Sequence, residues 1–330
     1  VIDMKKSILV LLLAGACWGA PLQVQAKDWE NVPLAQVQQA ASQGDVDAQF
    51  SLGMRYEDDQ GGGQDEHKAV TWYRAAAEQG FAAAQFHLGV MYTKGQGVAQ
   101  DNSQAMAWYR KAAEQGHAQA QSALGGCYFM GNGVAQNTHQ AVVWWSKAGA
   151  QGDVDAQLSL GSIYLAKKDD RQAAAWYRKA AEQGQVFAQF NLGMMYFNGQ
   201  GVAKDYSQAV AWSRLAAEQG HVQAQYFLGW MYTNGLGVVQ DDWQALSWIR
   251  KAAEQGHVKA QVSLSAMYAQ GRGTAPDVKL AYIWSSVAAV NGDADAAHNR
   301  DLLAQDLSYA ELSDAQAMAG QYAEAYRPQQ

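Results

Sequence analysis

The stretch that decides the fold, residues 81–116, reads FAAAQFHLGVMYTKGQGVAQDNSQAMAWYRKAAEQG. Its first half has apolar residues spaced so that they share one face of a helix; these are Ala84, Leu88, Met91 and Tyr92. Its second half has a similar stripe, at Ala105, Trp108, Tyr109, Ala112 and Ala113. Gly95 and Gly97 stand between the stripes, and glycine suits the left-handed end of a helix. The stretch therefore predicts two helices joined by a glycine-containing loop.

The same pattern recurs along the chain. The phrase Ala-Glu-Gln-Gly occurs at 77–80, 113–116, 181–184, 217–220 and 253–256. A second phrase, Ala-Gln, places its glutamine in steps of 36 residues, except one step of 32, at Gln49, Gln85, Gln121, Gln157, Gln189, Gln225 and Gln261. A stack of such helix pairs buries the apolar stripe that one pair leaves exposed. We expect about seven repeats, with four residues missing from the interhelical loop of the fourth.

Three kinds of recurring residue are interpreted as structural. Gly89 lies inside the first predicted helix and recurs in most repeats, although a helical glycine costs about 1 kcal/mol relative to alanine. Its repetition predicts the close approach of another helix. His117, His221 and His257 share the position after a helix-ending glycine and are interpreted as turn residues, not metal ligands. Trp108 and its equivalents are interpreted as core residues.

These recurring residues resemble the Sel1-like repeat, a relative of the tetratricopeptide repeat with a longer interhelical loop. The resemblance covers about residues 37–297 and rests on Ala-x-Ala-Gln-x-x-Leu-Gly-x-x-Tyr, then Gly-x-Gly-Val, then Lys-Ala-Ala-Glu-x-Gly. It implies an all-α, right-handed superhelical solenoid of about seven helix-turn-helix repeats with a concave face. It also implies a scaffold or adaptor role. A cysteine-rich branch linked to β-lactam hydrolysis has paired cysteines in its repeats, which this chain lacks, so that activity is not carried over.

The N-terminal residues, 1–26, predict a cleaved secretory signal. Two lysines follow Met4, an apolar run extends over residues 8–16, and a small-residue cleavage site ends at Ala26. The alternative is lipid attachment at Cys17. We expect a periplasmic or secreted protein with an N-terminal capping helix in 27–43, the repeat array in 44–292, and a degenerate repeat with a C-terminal helical cap in 293–330.

Composition and motifs restrict the function. The chain carries a net charge of −7 without a basic cluster, which argues against a nucleic-acid partner. It has no phosphate-binding loop, His-Glu-x-x-His or Ser-x-x-Lys motif, so we expect no catalytic residue, cofactor or metal. The apolar run is shorter than the roughly 20 residues that span a bilayer, so no transmembrane segment is expected in the mature chain.

The function expected from this combination is a scaffold of the bacterial envelope or secreted fraction that holds a protein or peptide partner on its concave face. The alternatives are a regulator or inhibitor of an envelope enzyme, and a β-lactam or cell-wall hydrolase. Because recurring residues are explained by packing, candidate binding residues are those that break the repeat. Trp230 stands where other repeats have smaller residues.

Aromatic anchors with a polar border suit a protein interface. The predicted binding patch comprises Phe197, Tyr226 and Trp230, bordered by Asn191, Asn198 and Asn234. The alternative is that these side chains fill gaps between adjacent helix pairs.

Overall fold

The structure, a computed structural model, describes Trp29, residues 31–58 and residues 65–328. It divides into two compact units, residues 1–137 and 138–330. Across the described residues the regular structure is helical, with seventeen α-helices, one short 3-10 helix and no strand. This confirms the predicted all-α class of about seven helix pairs with a C-terminal helical cap. The predicted signal segment and Cys17 lie outside the described residues.

The helices alternate between the first and second members of the repeats. Unit 1 contains α1 (Leu34–Ser42), α2 (Val46–Glu57), α3 (Glu66–Glu78), α4 (Ala82–Lys94), α5 (Asn102–Glu114) and α6 (Ala118–Met130). Unit 2 contains α7 (Thr138–Ala150), α8 (Val154–Ala166), α9 (Asp170–Glu182), α10 (Val186–Asn198), α11 (Tyr206–Glu218), α12 (Val222–Asn234), α13 (Asp242–Glu254), α14 (Val258–Gln270), α15 (Val278–Val290), α16 (Ala294–Leu303) and α17 (Tyr309–Ala325). From α2 onward, the even-numbered helices of the repeats are first helices and the odd-numbered ones are second helices.

The loops between paired helices follow the sequence signals. Asp101 caps α5, because its Oδ1 accepts hydrogen bonds from the backbone nitrogens of Ser103 and Gln104 at 2.9 and 3.0 Å. Gly95 ends α4 in the left-handed region, with φ of 71°. In the fourth repeat α8 and α9 each keep 13 residues, so the four-residue deletion falls in the loop, as predicted.

The recurring glycine marks a close approach of paired helices. A Cβ added at Gly89 would lie 2.6 Å from a ring carbon of Tyr109 on α5. The same 2.6 Å distance separates a Cβ at Gly53 from Tyr73 and one at Gly161 from Tyr177. The predicted close contact is therefore present. Its partner is the tyrosine ring of the second helix in these repeats, and Ser213 or Ile249 at Gly193 and Gly229.

The recurring tryptophan is only half-buried, and the residue after it lies deeper. Trp108 keeps part of its ring in solvent, whereas Tyr109 is buried. The Nζ of Lys111, three residues further along α5, lies 4.0 Å from the centroid of the Trp108 ring. Cation–ring pairs with distances of 4.0 to 4.2 Å recur at Trp144–Lys147, Trp176–Lys179 and Trp248–Lys251. The core interpretation of this tryptophan was therefore right for only part of its surface.

Hydrogen bonds join the two recurring phrases in several repeats. Gln225 is buried, and its Nε2 donates to the carbonyl oxygen of Ala217 at 3.1 Å. Its Oε1 accepts from Nε2 of Gln255 at 2.7 Å. Equivalent glutamine pairs occur at Gln49–Gln79, Gln85–Gln115, Gln157–Gln183 and Gln189–Gln219. The repeat thus retains both glutamines because each buried amide needs its partners.

The C-terminal cap packs against α15. The ring of Trp284 lies 5.6 Å from that of Tyr322 and 5.5 Å from that of Tyr326. The carbonyl oxygen of Tyr326 accepts from Nε2 of Gln261 and Nδ2 of Asn291, both at 3.1 Å. This carbonyl completes the hydrogen bonding of the last buried glutamine.

Candidate functional site

The predicted site residues lie on α10 and α12 in unit 2. On these helices and α14, positions spaced by four, three and four residues share one side of the helix. We define the first-helix face as the residues at these positions, namely Phe187, Asn191, Met194, Asn198, Gln223, Phe227, Trp230, Asn234, Lys259, Ser263, Ala266 and Gln270. All are exposed or half-buried. The three helices contain no aspartate or glutamate, so this face lacks the negative charge that dominates the chain.

An aromatic cluster fills the space between α10 and α12. The ring of Phe197 lies 5.7 Å from that of Trp230 and 5.2 Å from that of Phe227, both edge to face. Phe227 and Trp230 stack at 6.1 Å with an angle of 16° between their rings. Such pairs add about 0.5–1.5 kcal/mol beyond area burial, yet Trp230 remains 37% exposed. The cluster therefore packs two repeats together and also presents an indole to solvent.

Tyr226 precedes Trp230 by one turn of α12 and lies toward α14. Its ring packs 4.7 Å from that of His257, and it lines a groove of about 200 Å³ between these two helices. This α12–α14 groove is formed by Tyr226, Trp230, Thr233, Ile249, Ser263, Ala266, Met267, Gln270 and Arg272. Trp230 is shared, since it packs on the aromatic cluster and also forms a wall of the groove.

The three predicted asparagines lie along the same face but do not form one network. The Nδ2 of Asn191 donates to the carbonyl oxygen of Phe187 at 2.8 Å, and Nδ2 of Asn234 donates to that of Trp230 at 2.7 Å. Both amides are thus engaged within their own helices. Asn198 is exposed at the end of α10.

Sequence reasoning missed Phe227, which belongs to the cluster. The signal was available, because Phe227 is the only aromatic ring of phenylalanine, tyrosine or tryptophan at its repeat position. The equivalent residues are Ser51, His87, Ala123, Ser159, Asn191 and Ser263. Arg272 was also missed, since it lies in a loop after α14 and nothing in the repeat pattern links it to α12.

A second departure from the repeat lies on α11. Ser213 replaces the tyrosine that packs against the first-helix glycine, is fully buried, and its Oγ has no hydrogen-bond partner among the described residues. In the first two repeats, the residues equivalent to Ser213 and Phe227 are Tyr73 and His87, whose rings stack at 5.1 Å. By the repeat register, Phe227 holds the position that His87 holds beside Tyr73, so α12 carries a large ring where α11 has the small Ser213.

Three first helices begin at a histidine. The Nδ1 atoms of His117, His221 and His257 accept hydrogen bonds from backbone nitrogens three residues later, at 3.3, 3.2 and 3.1 Å. Burial lowers the pKa of each imidazole; His87 further lowers the pKa of His117, and Lys259 further lowers that of His257. These histidines are N-caps that must be neutral, which agrees with their interpretation as turn residues.

Two properties of the described residues concern metal binding and membrane spanning. No group of three or more histidine, cysteine, aspartate or glutamate side chains is arranged to hold a metal ion in this part of the chain. None of the helices in the described ranges combines the length and apolar character needed to cross a membrane.

The protein is thus an array of paired helices, and its first helices form the first-helix face. The Sel1 repeat model matches seven consecutive segments, at 46–81, 82–117, 118–153, 154–185, 186–221, 222–257 and 258–293. The chain therefore belongs to the Sel1 repeat family, as its sequence pattern predicted. Sel1 repeats form scaffolds that generally mediate protein–protein interaction.

Solved structures agree with this assignment. The chain is similar to a Sel1 repeat protein from Oxalobacter formigenes, with 31% identity and a TM-score of 0.64, over 95% of this chain and 89% of that one. It is also similar to a protective antigen present in uropathogenic Escherichia coli strains that displays an SLR fold, with 29% identity and a TM-score of 0.54, over 89% of this chain and 87% of that one. No curated protein gives a significant match.

Proposed function

We propose that this protein is an exported scaffold that binds a protein or peptide partner on its first-helix face, without catalysing a reaction. The observation that carries the proposal is the exposure of aromatic rings there: Phe187 is 58% exposed and Trp230 is 37% exposed. Aromatic residues are enriched at interfaces, where their burial provides much of the binding energy. The family's general role in protein interaction supports this function.

Export is part of the proposal and rests on the signal pattern in residues 1–26. The likeness to a protective antigen supports it, because an antigen has to be accessible to the host. N-terminal sequencing of the protein from periplasmic and medium fractions tests the cleavage. A first residue of Lys27 is expected, whereas a lipid-modified Cys17 or an uncleaved N-terminus contradicts it.

Site-specific photocrosslinking in intact cells tests the binding face. A photoreactive residue placed at Asn198 or Gln270 lies on the first-helix face, and one placed at Glu182 or Glu254 lies at an exposed end of a second helix. A crosslinked partner from the first two positions and none from the last two is expected. Equal crosslinking from all four positions, or crosslinking from the second helices alone, would contradict the proposal.

A further inference from the structure

The α12–α14 groove has room for one large apolar side chain. Tyr226 and Trp230 form its aromatic wall, and Ile249 and Met267 contribute apolar side chains. Its volume is about 200 Å³, and an apolar cavity of about 150 Å³ is enough to hold benzene. Thr233 and Gln270 add polar groups to the lining, as expected of a pocket that orients what it binds.

The preceding repeat shows which side chains fit between two successive first helices. Ser263 and Ala266 line the α12–α14 groove, and their equivalents one repeat earlier are Phe227 and Trp230. There the two rings fill the space beside Phe197. The position between successive first helices thus holds aromatic side chains when the chain supplies them. Where it supplies serine and alanine, an incoming aromatic or branched aliphatic side chain can take their place.

The charge around the groove favours an acidic neighbour. Lys259 is exposed, forms no salt bridge with a described residue, and precedes Ser263 by one helical turn, about 6 Å along the axis. Arg272 lies at the loop side of the groove, where Nη2 contacts Oδ1 of Asp242 at 2.6 Å and Nε contacts Oδ2 at 3.3 Å. Asp242 therefore offsets much of the Arg272 charge, and Lys259 is the available cation on a face that has no carboxylate.

A second groove, in unit 1, provides the contrast. The α4–α6 groove of about 280 Å³ has the same repeat positions, with Ala123 and Gly126 in place of Ser263 and Ala266. The positions of Lys259 and Arg272 are held there by Gln119 and Asn132. The two grooves are alike in small residues but differ in charge, so an acidic ligand should distinguish them.

We propose that the α12–α14 groove binds an extended peptide segment through one large apolar anchor side chain, with an acidic residue beside the anchor that pairs with Lys259. This inference rests on the proposed function, since it names the partner chemistry of the same face. The apolar anchor supplies most of the affinity. The carboxylate makes binding specific for this groove over the α4–α6 groove and raises the association rate.

Selection from a displayed library of random peptides on the purified mature protein tests the inference. The enriched peptides are expected to share an aromatic or branched aliphatic residue next to aspartate or glutamate. Their binding is then measured by fluorescence anisotropy against the double variant S263F/A266W, which gives the groove the residues of the preceding repeat. Its matched control is A123F/G126W in the α4–α6 groove.

Filling the α12–α14 groove should weaken peptide binding by about tenfold or more, as expected for the loss of an anchor, and the unit 1 control should leave it unchanged. K259E should weaken acidic peptides about fivefold at low salt, with a smaller effect at about 0.5 M salt. Equal losses from both groove variants, or enriched peptides without the anchor, would overturn the inference. So would self-association that S263F/A266W abolishes, because the groove would then hold a second copy. Photocrosslinks at Asn198 that persist in S263F/A266W would reject this groove while leaving the proposed function intact.

Discussion

Replacing His117, His221 and His257 by glutamine should remove an acid-dependent loss of stability. Each imidazole accepts a backbone N–H through Nδ1, and a protonated imidazole has no acceptor. The equivalent residue at the start of α10 is Gln185, whose Oε1 accepts from the backbone nitrogen of Ala188 at 3.0 Å. The chain therefore contains its own pH-insensitive version of the same cap.

The direction of the pH effect on folding stability follows from the direction of the three pKa shifts. Burial lowers the pKa of all three histidines below the usual value of about 6.5. The unfolded chain therefore binds protons first as the pH falls, and its free energy drops relative to the folded state. The stability contributed by the neutral caps is complete above about pH 6.5 and is lost as the pH falls through the lowered pKa values.

The size of the stability loss on protonation is the sum of the lost N-cap hydrogen bond and the unfavourable interaction of the charge with the helix dipole. Losing an N-cap costs about 1 kcal/mol, and a cation at a helix N-terminus opposes the dipole by roughly 0.5 kcal/mol. With all three histidines protonated, the loss is about 4.5 kcal/mol in total. At about 1.5 °C for each kcal/mol, from an unfolding entropy of about 2.1 cal/mol/K per residue, the melting temperature should fall by about 7 °C more in the parent protein than in the triple glutamine variant.

Thermal melts by circular dichroism at about pH 7.5 and about pH 5 measure this difference. Carboxylates titrate equally in both proteins, so the comparison isolates the histidines. Hydrogen exchange adds a local readout: protection at the starts of α6, α12 and α14 should fall at acid pH, and the Gln185-capped start of α10 serves as the internal control. An equal loss of melting temperature in the parent and the variant would refute the reasoning, as would imidazole pKa values at or above 6.5 by NMR.

Three further predictions concern packing. Gly89→Ala should destabilise the protein by about 1–3 kcal/mol in urea titrations, because the new Cβ would lie 2.6 Å from a ring; Gly126→Ala, which meets no atom within 4 Å, should be neutral or stabilise by up to about 1 kcal/mol. Gln225→Ala should cost about 1–3 kcal/mol in the same assay, since it removes both hydrogen bonds of a buried amide, one to the Ala217 carbonyl and one from Gln255, and an unchanged midpoint would contradict this. Ser213→Tyr should be destabilising alone and be rescued by Phe227→Ser, with a coupling of about 1 kcal/mol or more in a double-mutant cycle; additive effects would show that the two positions are independent.

Most of the fold could be predicted from the sequence because the same helix pattern occurs in each of about seven repeats. The 36-residue register places the helices, and the deletion before Asp169 falls in a loop because a helix would lose its packing face. The identities of the contacts were not predictable in the same way. The register shows that Gly89 and Gln85 recur, but the partner of each depends on how neighbouring helices are offset along their axes, which the spacing within one helix does not specify.

The candidate site was predictable only where a single position departs from its repeat. Trp230 was found that way and Phe227 was equally available, since both are aromatic where other repeats have smaller or polar residues. The groove beside them was not, because it arises where Ser263 and Ala266 are small, and small residues attract no notice in a chain rich in alanine. The α12–α14 groove is formed by residues on three helices and a loop, so it can be identified only once the packing of those helices is known.

The exceptions in the fifth and sixth repeats are not independent of one another. Ser213 removes a ring from α11, Phe227 supplies one from α12, and Trp230 stacks on Phe227 and so forms a wall of the α12–α14 groove. The packing between α10 and α12 and the wall of the groove therefore share Trp230. Because the packing of Phe227 fixes one side of Trp230, the exposed indole is held in place before any partner arrives. A wall that is already ordered loses little conformational entropy on binding, which is why a packing role and a binding role for this cluster support each other.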